Sequence, residues 1–301
     1  MNIVVLGAGA IGSLYGSLLS KKNYVTLIGS PKHINAIKKK GLTIKGKTQS
    51  NIKISAEVNI KKLEKSPELL ILTVKSYDTV SAIRDIDTII NKNTTILSLQ
   101  NGLDNIEKIK KIIDNKQIIA GTTTHGAFLV EPGIVEHTGL GNTILGELDG
   151  KILPRLKKIV KIFNNSLIKT HSSKNIIKEI WIKAIINSSI NPLTTIFKCR
   201  NGYLLENPVL EQIVNSVCRE STIIANKNGI IISTKYMREK TKEVIRSTSE
   251  NYSSMFQSFK NNKKTEIDSI NGKLAFLGKI HNVDTSLNDI LVDYIKTNNL
   301  F

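Results

Sequence analysis

Three polar side chains recur at helical spacing in one strongly apolar segment. The segment reads NIIKEIWIKAIINSSI, and Lys183, Asn187 and Asn191 stand at i, i+4 and i+8, on one face of a predicted helix. Burying an ammonium and two amides on an apolar helix is costly unless a polar partner meets them, and a bound polar ligand would do so. An ammonium can donate a proton and stabilise a developing oxyanion, whereas amides donate hydrogen bonds without adding charge.

The same residues also allow a purely structural interpretation. Glu179 stands four residues before Lys183, so the two could form an ordinary ion pair on a solvated helix face. Asn191 directly precedes Pro192 and could mark the end of the helix, with Asn187 as a capping residue. The residues alone leave both interpretations open.

A glycine-rich turn stands at the start of the chain. Asn2–Leu6 is an apolar run typical of a buried parallel strand, and a small-residue pattern with helical spacing follows the turn. The six residues of the turn have the form GxGxxG and are Gly7, Ala8, Gly9, Ala10, Ile11 and Gly12. In such turns the first glycine permits the tight bend, the second admits a pyrophosphate and the third lets the helix pack on the strand. A plain glycine turn is the alternative, but the flanking strand and helix favour a dinucleotide site.

The end of the second predicted strand, Tyr24–Ile28, is where dinucleotide folds meet the adenosine ribose. An Asp or Glu there would accept a hydrogen bond from the 2′-hydroxyl and select NAD, but the first acidic residue of the chain is Glu57. Ser30 and Lys32 stand there instead, and a hydroxyl with a cation can hold a 2′-phosphate. The sequence therefore favours NADP(H); for Lys32 the alternative is an ordinary surface lysine in a lysine-rich chain.

Two further apolar runs predict buried strands that end in polar residues. Leu69–Val74 leads directly into Lys75, and Thr95–Leu99 is followed by Asn101. Because ligands bind at the carboxyl ends of strands in an open α/β sheet, these residues are candidates for the site. Residues 135–145 predict two short strands added antiparallel to the same sheet.

The hydrophobic pattern of the sequence changes at Ser172. Alternating strand and helix patterns before it predict an α/β, doubly wound, Rossmann-like domain over residues 1–171. Long segments of helical period after it predict an all-α domain over residues 172–301. The predicted helices of this second domain are residues 175–189, 208–228, 234–249 and 266–281.

Composition excludes several classes of protein. The formal charge of +18 could indicate nucleic-acid binding, but the lysines are spread along the chain and aromatic residues make up only 5% of it. No segment has the length and apolarity of a membrane span. The two cysteines give no disulfide framework, and no metal-ligand spacing stands out, so we expect no metal and a reducing, cytoplasmic location.

The motifs GAGAIG, VKSYD, LQNG, GTTTHGA, WIKAIINSSINPLT, RNG, SSMFQ and TEIDSINGKL occur in this order. Together they resemble the ketopantoate reductase (2-dehydropantoate 2-reductase) family over nearly the whole chain. The resemblance implies an N-terminal Rossmann NADP-binding domain and a C-terminal helical domain like that of 6-phosphogluconate dehydrogenases. It implies NADPH-dependent reduction of 2-dehydropantoate to (R)-pantoate, in the pathway to pantothenate and coenzyme A. We expect a small-molecule substrate and a monomer or homodimer.

The resemblance also implies roles for individual residues. It assigns Lys183 as the general acid and Glu266 as the acid that contacts the cofactor and supports catalysis. Asparagine and serine contacts to the substrate would come from Asn187, Asn191, Asn201 and Ser254. Of these, Ser254 would bind the substrate carboxylate.

Other implied roles concern the cofactor. Lys75 and Asn101 would line the cofactor and substrate cleft, and Ala127 would contact the cofactor through its backbone. Many family members carry an arginine where this chain has Ser30, and Lys32 is its candidate substitute. There are two alternatives. One is a related dehydrogenase that acts on another 2-oxo or 3-hydroxy acid, and the other is a non-enzymatic NADP(H)-binding protein.

Overall fold

The computed structural model describes residues 1–298, which form two compact units. The first unit consists of residues 1–100 and 105–177, and the second of Asn101–Asp104 together with the chain from Lys178 onward. The division into domains at residues 171 and 172 stays a prediction. Among the helices of residues 1–298, none combines the length and apolarity needed to cross a bilayer.

The first unit alternates strands and helices. Its strands are β1 (Asn2–Leu6), β2 (Tyr24–Ile28), β3 (Leu42–Gly46), β4 (Ser50–Ile52), β5 (Ser55–Glu57), β6 (Leu69–Leu72), β7 (Thr95–Ser98), β8 (Ile118–Thr123), β9 (Gly126–Glu131), β10 (Ile134–Gly139), β11 (Thr143–Glu147) and β12 (Thr170–Ser172). Its helices are α1 (Ala10–Ser20), α2 (Pro31–Lys40), α3 (Thr79–Ile86), α4 (Asn105–Lys110) and α5 (Pro154–Asn165).

The main sheet has eight strands in the order β12-β11-β8-β7-β6-β1-β2-β5. β1 lies between β2 and β6 and is parallel to both, so the strand order reverses there, which is where ligands bind in open α/β sheets. Ile3 and Val5 of β1 pack in one buried cluster, and Val4 and Leu6 pack in another. Because both faces of the strand are covered, its sequence is continuously apolar rather than alternating. The predicted Rossmann-like fold is confirmed.

A second sheet was not foreseen. It has four strands in the order β4-β3-β10-β9. The prediction for residues 135–145 is therefore right for β11, which pairs antiparallel with β8, and wrong for β10. Val135 of β10 lies opposite Ile44 of β3, and both are fully buried. The alternating pattern of β10 fits an edge of either sheet, and only the distant partner strand decides between them.

The second unit is helical. Its helices are α6 (Ile176–Ile196), which begins two residues before the unit, α7 (Tyr203–Glu206), α8 (Pro208–Lys227), α9 (Thr234–Ser247), α10 (Ser254–Lys260), α11 (Asn271–Ile280) and α12 (Ser286–Asn298). The single helix predicted for residues 266–281 is wrong. A 3₁₀ turn, Ile267–Ser269, comes first, and the backbone of Ile270 leaves helical geometry with φ −109° and ψ −87° before α11 begins.

α6 runs through Pro192 without ending. A proline inside a helix cannot donate to the carbonyl four residues earlier, here that of Ser188. The side-chain amide of Asn271 takes the place of that donor, with its Nδ2 3.1 Å from the Ser188 oxygen. The interpretation that Asn191 marks the helix end is therefore wrong, because a side chain of another helix satisfies the carbonyl that the proline leaves unpaired.

Candidate active site

The glycine turn is fixed tightly to the strands around it. Gly7 has a φ of +108°, and a Cβ built on it would lie 2.4 Å from the backbone nitrogen of Val74, so only glycine fits. The Gly7 N–H donates to the carbonyl of Ile28 at 2.9 Å. The hydroxyl of Thr73 donates to the Gly7 carbonyl at 2.8 Å. Thr73 was not predicted to support the turn, because no local pattern marks a threonine after β6 as part of it.

The same turn is open at its other end. A Cβ on Gly12 would lie 2.3 Å from the Gly7 oxygen, whereas a Cβ on Gly9 would meet no atom closer than 3.9 Å. Gly9 is the exposed N-cap of α1, whose first turn has no acidic residue. The first N–H groups of a helix have no partners within it and attract anions. The turn is thus closed against the protein at Gly12 and open at Gly9, which fits the pyrophosphate of a dinucleotide.

Because Gly9 faces open space and Gly12 is packed, substitutions at the two positions should affect binding and folding separately. We expect Gly9→Ala to weaken dinucleotide binding about tenfold or more, because the methyl group occupies the space in which a phosphate approaches the backbone. The melting temperature of the Gly9→Ala variant should stay close to that of the unchanged protein. Gly12→Ala should instead destabilise the fold by about 1–3 kcal/mol, because its methyl group overlaps backbone atoms. Fluorescence titration and thermal melting of both variants measure the two effects. Unchanged affinity in Gly9→Ala would show that no phosphate lies at this turn.

The corner after β2 offers a hydroxyl and a cation at the start of α2. Ser30 is the N-cap of α2, and its hydroxyl makes no capping hydrogen bond. Lys32 is exposed, and the first turn of α2 has no acidic residue. His33 is buried and adds no charge: its Nδ1 accepts from the Gly133 N–H at 3.0 Å, so its Nε2–H donates to the Ser13 hydroxyl at 2.9 Å. Burial lowers the pKa of His33 accordingly.

A carboxylate that was not predicted here lies beside this corner. β5 pairs parallel with β2, and the register sets Glu57 opposite Ile28, the last residue of β2. Lys38, near the end of α2, binds the Glu57 carboxylate at 2.7 Å. Hydrogen bonding from Lys38 lowers the pKa of Glu57, so that carboxyl is ionised and already paired. Its position depends on strand pairing, which no local pattern reveals.

Two further predicted cofactor residues lie in the first unit. Lys75 is half-buried and is the N-cap of the 3₁₀ turn that follows β6, at the carboxyl end of the main sheet. Ala127 lies in β9 of the second sheet, opposite His137. Ala127 packs against the same apolar core as Ala10 and Ile11 of the glycine turn. Their contacts to a cofactor stay predictions.

The polar row predicted in the second unit lies along α6. Lys183 and Asn187 are half-buried, and Asn191 is 6% exposed. Eight residues of α-helix span roughly 12 Å, so the three side chains follow one face over that length. The row therefore combines one ammonium with two amides on a helix whose other residues are mostly apolar.

Asn201 and Ser254 occupy contrasting positions. Asn201 is buried; its Nδ2 donates to the Thr248 hydroxyl at 2.8 Å, and its Oδ1 has no hydrogen-bond partner within residues 1–298. Such an acceptor suits a donor from a ligand. Ser253, not Ser254, caps α10, with its hydroxyl accepting from the Phe256 N–H at 3.1 Å. This leaves the exposed hydroxyl of Ser254 outside the cap.

Asn101 and Glu266 lie together in the second unit although 165 residues separate them. Asn101 Nδ2 is 3.5 Å from Glu266 Oε2, at the limit of a hydrogen bond, and Glu266 is only 7% exposed. The Leu103 N–H donates to the Ser269 carbonyl at 2.9 Å, which ties the 101–104 segment to the turn after Glu266. The predicted cofactor acid and one predicted substrate ligand therefore share a neighbourhood.

The histidine pair of the first unit belongs to its packing. His125 Nδ1 lies 3.1 Å from His137 Nε2, and the His125 ring packs edge-on against Tyr15. Burial and the neighbouring His137 lower the pKa of His125 to about 4, so it is neutral at physiological pH. Within residues 1–298, no group of three or more His, Cys, Asp or Glu side chains is arranged to hold a metal ion.

Known proteins and family models match this chain over nearly its whole length. Residues 3–150 match the family model described as "Ketopantoate reductase PanE/ApbA", and residues 175–299 match "Ketopantoate reductase PanE/ApbA C terminal". The 2-dehydropantoate 2-reductases of Pyrococcus abyssi and Pyrococcus horikoshii are 39% and 41% identical to this chain; each alignment covers 98% of this chain and 97% of the relative.

The solved structures add a different relative. D-mandelate dehydrogenase, solved with NADH and anilino(oxo)acetate, superimposes with a TM-score of 0.94 at 29% identity, covering 99% of this chain and 98% of that one. The same enzyme solved with NADH alone gives a TM-score of 0.92, also at 29% identity and 99% coverage of both chains. With family models matched across both halves and relatives aligned over nearly the full length, the chain belongs to the ketopantoate reductase family.

Proposed function

We propose that this chain is a 2-dehydropantoate 2-reductase, which reduces ketopantoate to (R)-pantoate with NADPH in the route to pantothenate and coenzyme A. The observation that carries the proposal is identity of 39–41% to enzymes of that name over 98% of the chain. The intact polar row on α6 supports it. We place the enzyme in the cytoplasm, since Cys199 and Cys218 are both free thiols, and we expect a monomer or homodimer.

The dinucleotide would be held by the first unit. The backbone of the glycine turn would bind its pyrophosphate, and the Ser30 hydroxyl with the Lys32 ammonium would bind its 2′-phosphate. When bound, the reduced nicotinamide supplies a hydride for the keto carbon of the substrate. The remaining chemistry belongs to side chains of the second unit.

Lys183 would supply the proton. As the keto carbon is reduced, negative charge develops on the carbonyl oxygen, and an ammonium in hydrogen-bond reach both stabilises that charge and protonates the oxygen. Asn187 and Asn191 share the helix face of Lys183, so their amides can orient the substrate without changing the local charge. Glu266 would accept from Asn101 and hold its amide toward the ligands.

Substrate recognition would use Ser254 and Asn201. Ketopantoate carries a carboxylate at one end and a hydroxyl at the other. The exposed hydroxyl of Ser254 can donate to the carboxylate, and Asn201 Oδ1, which has no partner among residues 1–298, can accept from the substrate hydroxyl. A site that pairs a substrate hydroxyl rejects analogues without it, because its own polar atom would then stay unpaired.

The specific alternative is reduction of another 2-oxo acid. The TM-score of 0.94 with D-mandelate dehydrogenase favours it, since that enzyme is named for D-mandelate, a different 2-hydroxy acid, and has the same fold. Steady-state oxidation of NADPH and of NADH, with ketopantoate and with benzoylformate, separates the two. We expect kcat/KM for ketopantoate to exceed that for benzoylformate about tenfold or more. A preference for benzoylformate would overturn the proposed substrate while leaving the family assignment in place.

Cofactor preference gives a separate test. We expect Lys32→Glu to weaken NADPH binding by about tenfold while changing NADH binding much less, because a carboxylate near the 2′-phosphate replaces attraction with repulsion. Lys39→Glu is the matched control, since it reverses an exposed charge at the other end of α2. Titration at fixed ionic strength measures both. Equal weakening for the two dinucleotides would mean that Lys32 does not contact the phosphate.

A further inference from the structure

His33 joins two elements that are proposed to hold different parts of the dinucleotide. It lies in the first turn of α2, directly after Lys32, and is only 2% exposed. Its Nε2–H donates to the hydroxyl of Ser13 at 2.9 Å, and Ser13 is the residue of α1 that follows the glycine turn, Gly7–Gly12. The imidazole therefore connects the start of α2, where Ser30 and Lys32 stand, directly to the start of α1.

The other ring nitrogen of His33 is fixed by the second sheet. The Gly133 N–H donates to His33 Nδ1 at 3.0 Å, and Gly133 lies between β9 and β10. The carbonyl of Gly133 in turn accepts from the Thr43 N–H of β3 at 2.9 Å. Since the Gly133 N–H is a donor, Nδ1 must accept, and the ring proton lies on Nε2, which directs it at Ser13. The imidazole is thus held at both nitrogens in one orientation and one tautomer.

Apolar packing alone would fix the start of α2 less closely. Ile34 and Ile37 are the buried apolar residues of α2. Contacts between apolar side chains are not directional, so they allow a helix to shift along its axis or rotate about it. Ser30 and Lys32 are exposed and do not anchor the turn by burial. The two hydrogen bonds of His33 supply the direction that the apolar contacts lack.

We propose that His33 is a positioning residue for NADPH. Through its bond to Ser13, it sets the distance between the glycine turn and the corner that binds the 2′-phosphate. This inference rests on the proposed function, which assigns the pyrophosphate to the glycine turn and the 2′-phosphate to Ser30 and Lys32. NADPH needs both groups at the right separation, whereas NADH has no 2′-phosphate and depends less on it. Loss of the bond between His33 and Ser13 therefore weakens NADPH binding more than NADH binding.

Ser13→Ala tests the inference, because it removes the bond without changing any side chain proposed to contact the dinucleotide. We expect it to weaken NADPH binding about three- to tenfold, the equivalent of one hydrogen bond, and NADH binding by less than about twofold. Ser17→Ala is the matched control. Ser17 is equally buried one turn further along α1, and its hydroxyl bonds to the Ser50 hydroxyl of β4 at 3.0 Å instead. Fluorescence titration of the three proteins with NADPH and with NADH, at fixed ionic strength, measures the affinities.

A second variant shows whether the bond itself is responsible. In His33→Asn the shorter amide can still accept from the Gly133 N–H but does not reach Ser13. The double variant Ser13→Ala/His33→Asn should show the same ratio of NADPH to NADH affinity as either single variant, because all three lack the same bond.

Three outcomes would overturn the inference alone. They are an unchanged affinity ratio in Ser13→Ala, an equal fall of the ratio in Ser17→Ala, and losses that multiply in the double variant. The first would show that the bond does not matter, the second a general loosening of α1, and the third independent action of the two residues. Absence of any NADPH preference in the unchanged protein would instead overturn the proposed cofactor, and the inference with it.

Discussion

Replacing Lys183 with alanine is expected to lower kcat for ketopantoate reduction by roughly two to four powers of ten, the usual contribution of a general acid. The lysine stands half-buried on α6, in line with two amides, and no other cation shares that row of the helix. Without it, the developing oxyanion would lose both its stabilising charge and its proton source. NADPH binding should persist, because Lys183 is not among the groups proposed to hold the dinucleotide. Stopped-flow or steady-state assays, with a parallel NADPH titration, measure the two quantities.

Lys178→Ala serves as the matched control for this variant. Lys178 lies five residues earlier on α6, about 140° around the helix from Lys183, so its removal changes the same charge on a different face. Its activity should stay within a small factor of the unchanged enzyme. Near-normal turnover in Lys183→Ala, with the fold intact by circular dichroism, would refute the proposed role and require another proton donor.

Asn271→Leu is expected to lower the free energy of unfolding by about 2–3 kcal/mol. The amide of Asn271 is fully buried and donates to the Ser188 carbonyl at 3.1 Å and to Asn288 Oδ1 at 2.9 Å. Leucine would leave both acceptors unpaired, and the Ser188 carbonyl has already lost its helical donor to Pro192. Denaturant unfolding followed by circular dichroism gives the size of the effect.

A double-mutant cycle identifies the cause of that loss. Pro192→Ala restores a backbone N–H that can donate to the Ser188 carbonyl, so Asn271→Leu should cost less in that background by about 1 kcal/mol. Strictly additive losses would show that Asn271 stabilises the unit through other contacts. The Gln212→Leu variant, at an exposed position of α8, controls for the loss of an amide as such, and we expect it to be nearly neutral.

The parts of the fold that were predictable depend on neighbours in sequence. The strand, turn and helix of residues 2–20 are readable because each glycine acts on residues close to it along the chain. The helical period of α6 was equally clear. Pro192 was misinterpreted because the group that allows the helix to continue, Asn271, comes from a distant helix, and the side-chain donor has no local signature.

In the candidate site, too, some features follow from residues close in sequence and others from distant contacts. The row from Lys183 to Asn191 follows from helical spacing alone. The pairing of Asn101 with Glu266, and the position of Glu57 beside β2, depend on contacts that the chain makes only after folding. The second sheet was not predicted for a related reason. The alternating pattern of β10 indicates that one face of the strand is buried, but it does not indicate which strand pairs with it.

The glycine turn has a consequence for how natural variation in this chain should be interpreted. Gly7 and Gly12 are required by the backbone atoms that surround them, so purifying selection for stability would preserve both even in a descendant that had lost its coenzyme. Gly9 faces open space, so stability does not require a glycine there. Substitution of Gly9, with Gly7 and Gly12 retained, would therefore indicate a lineage in which the protein no longer binds its coenzyme.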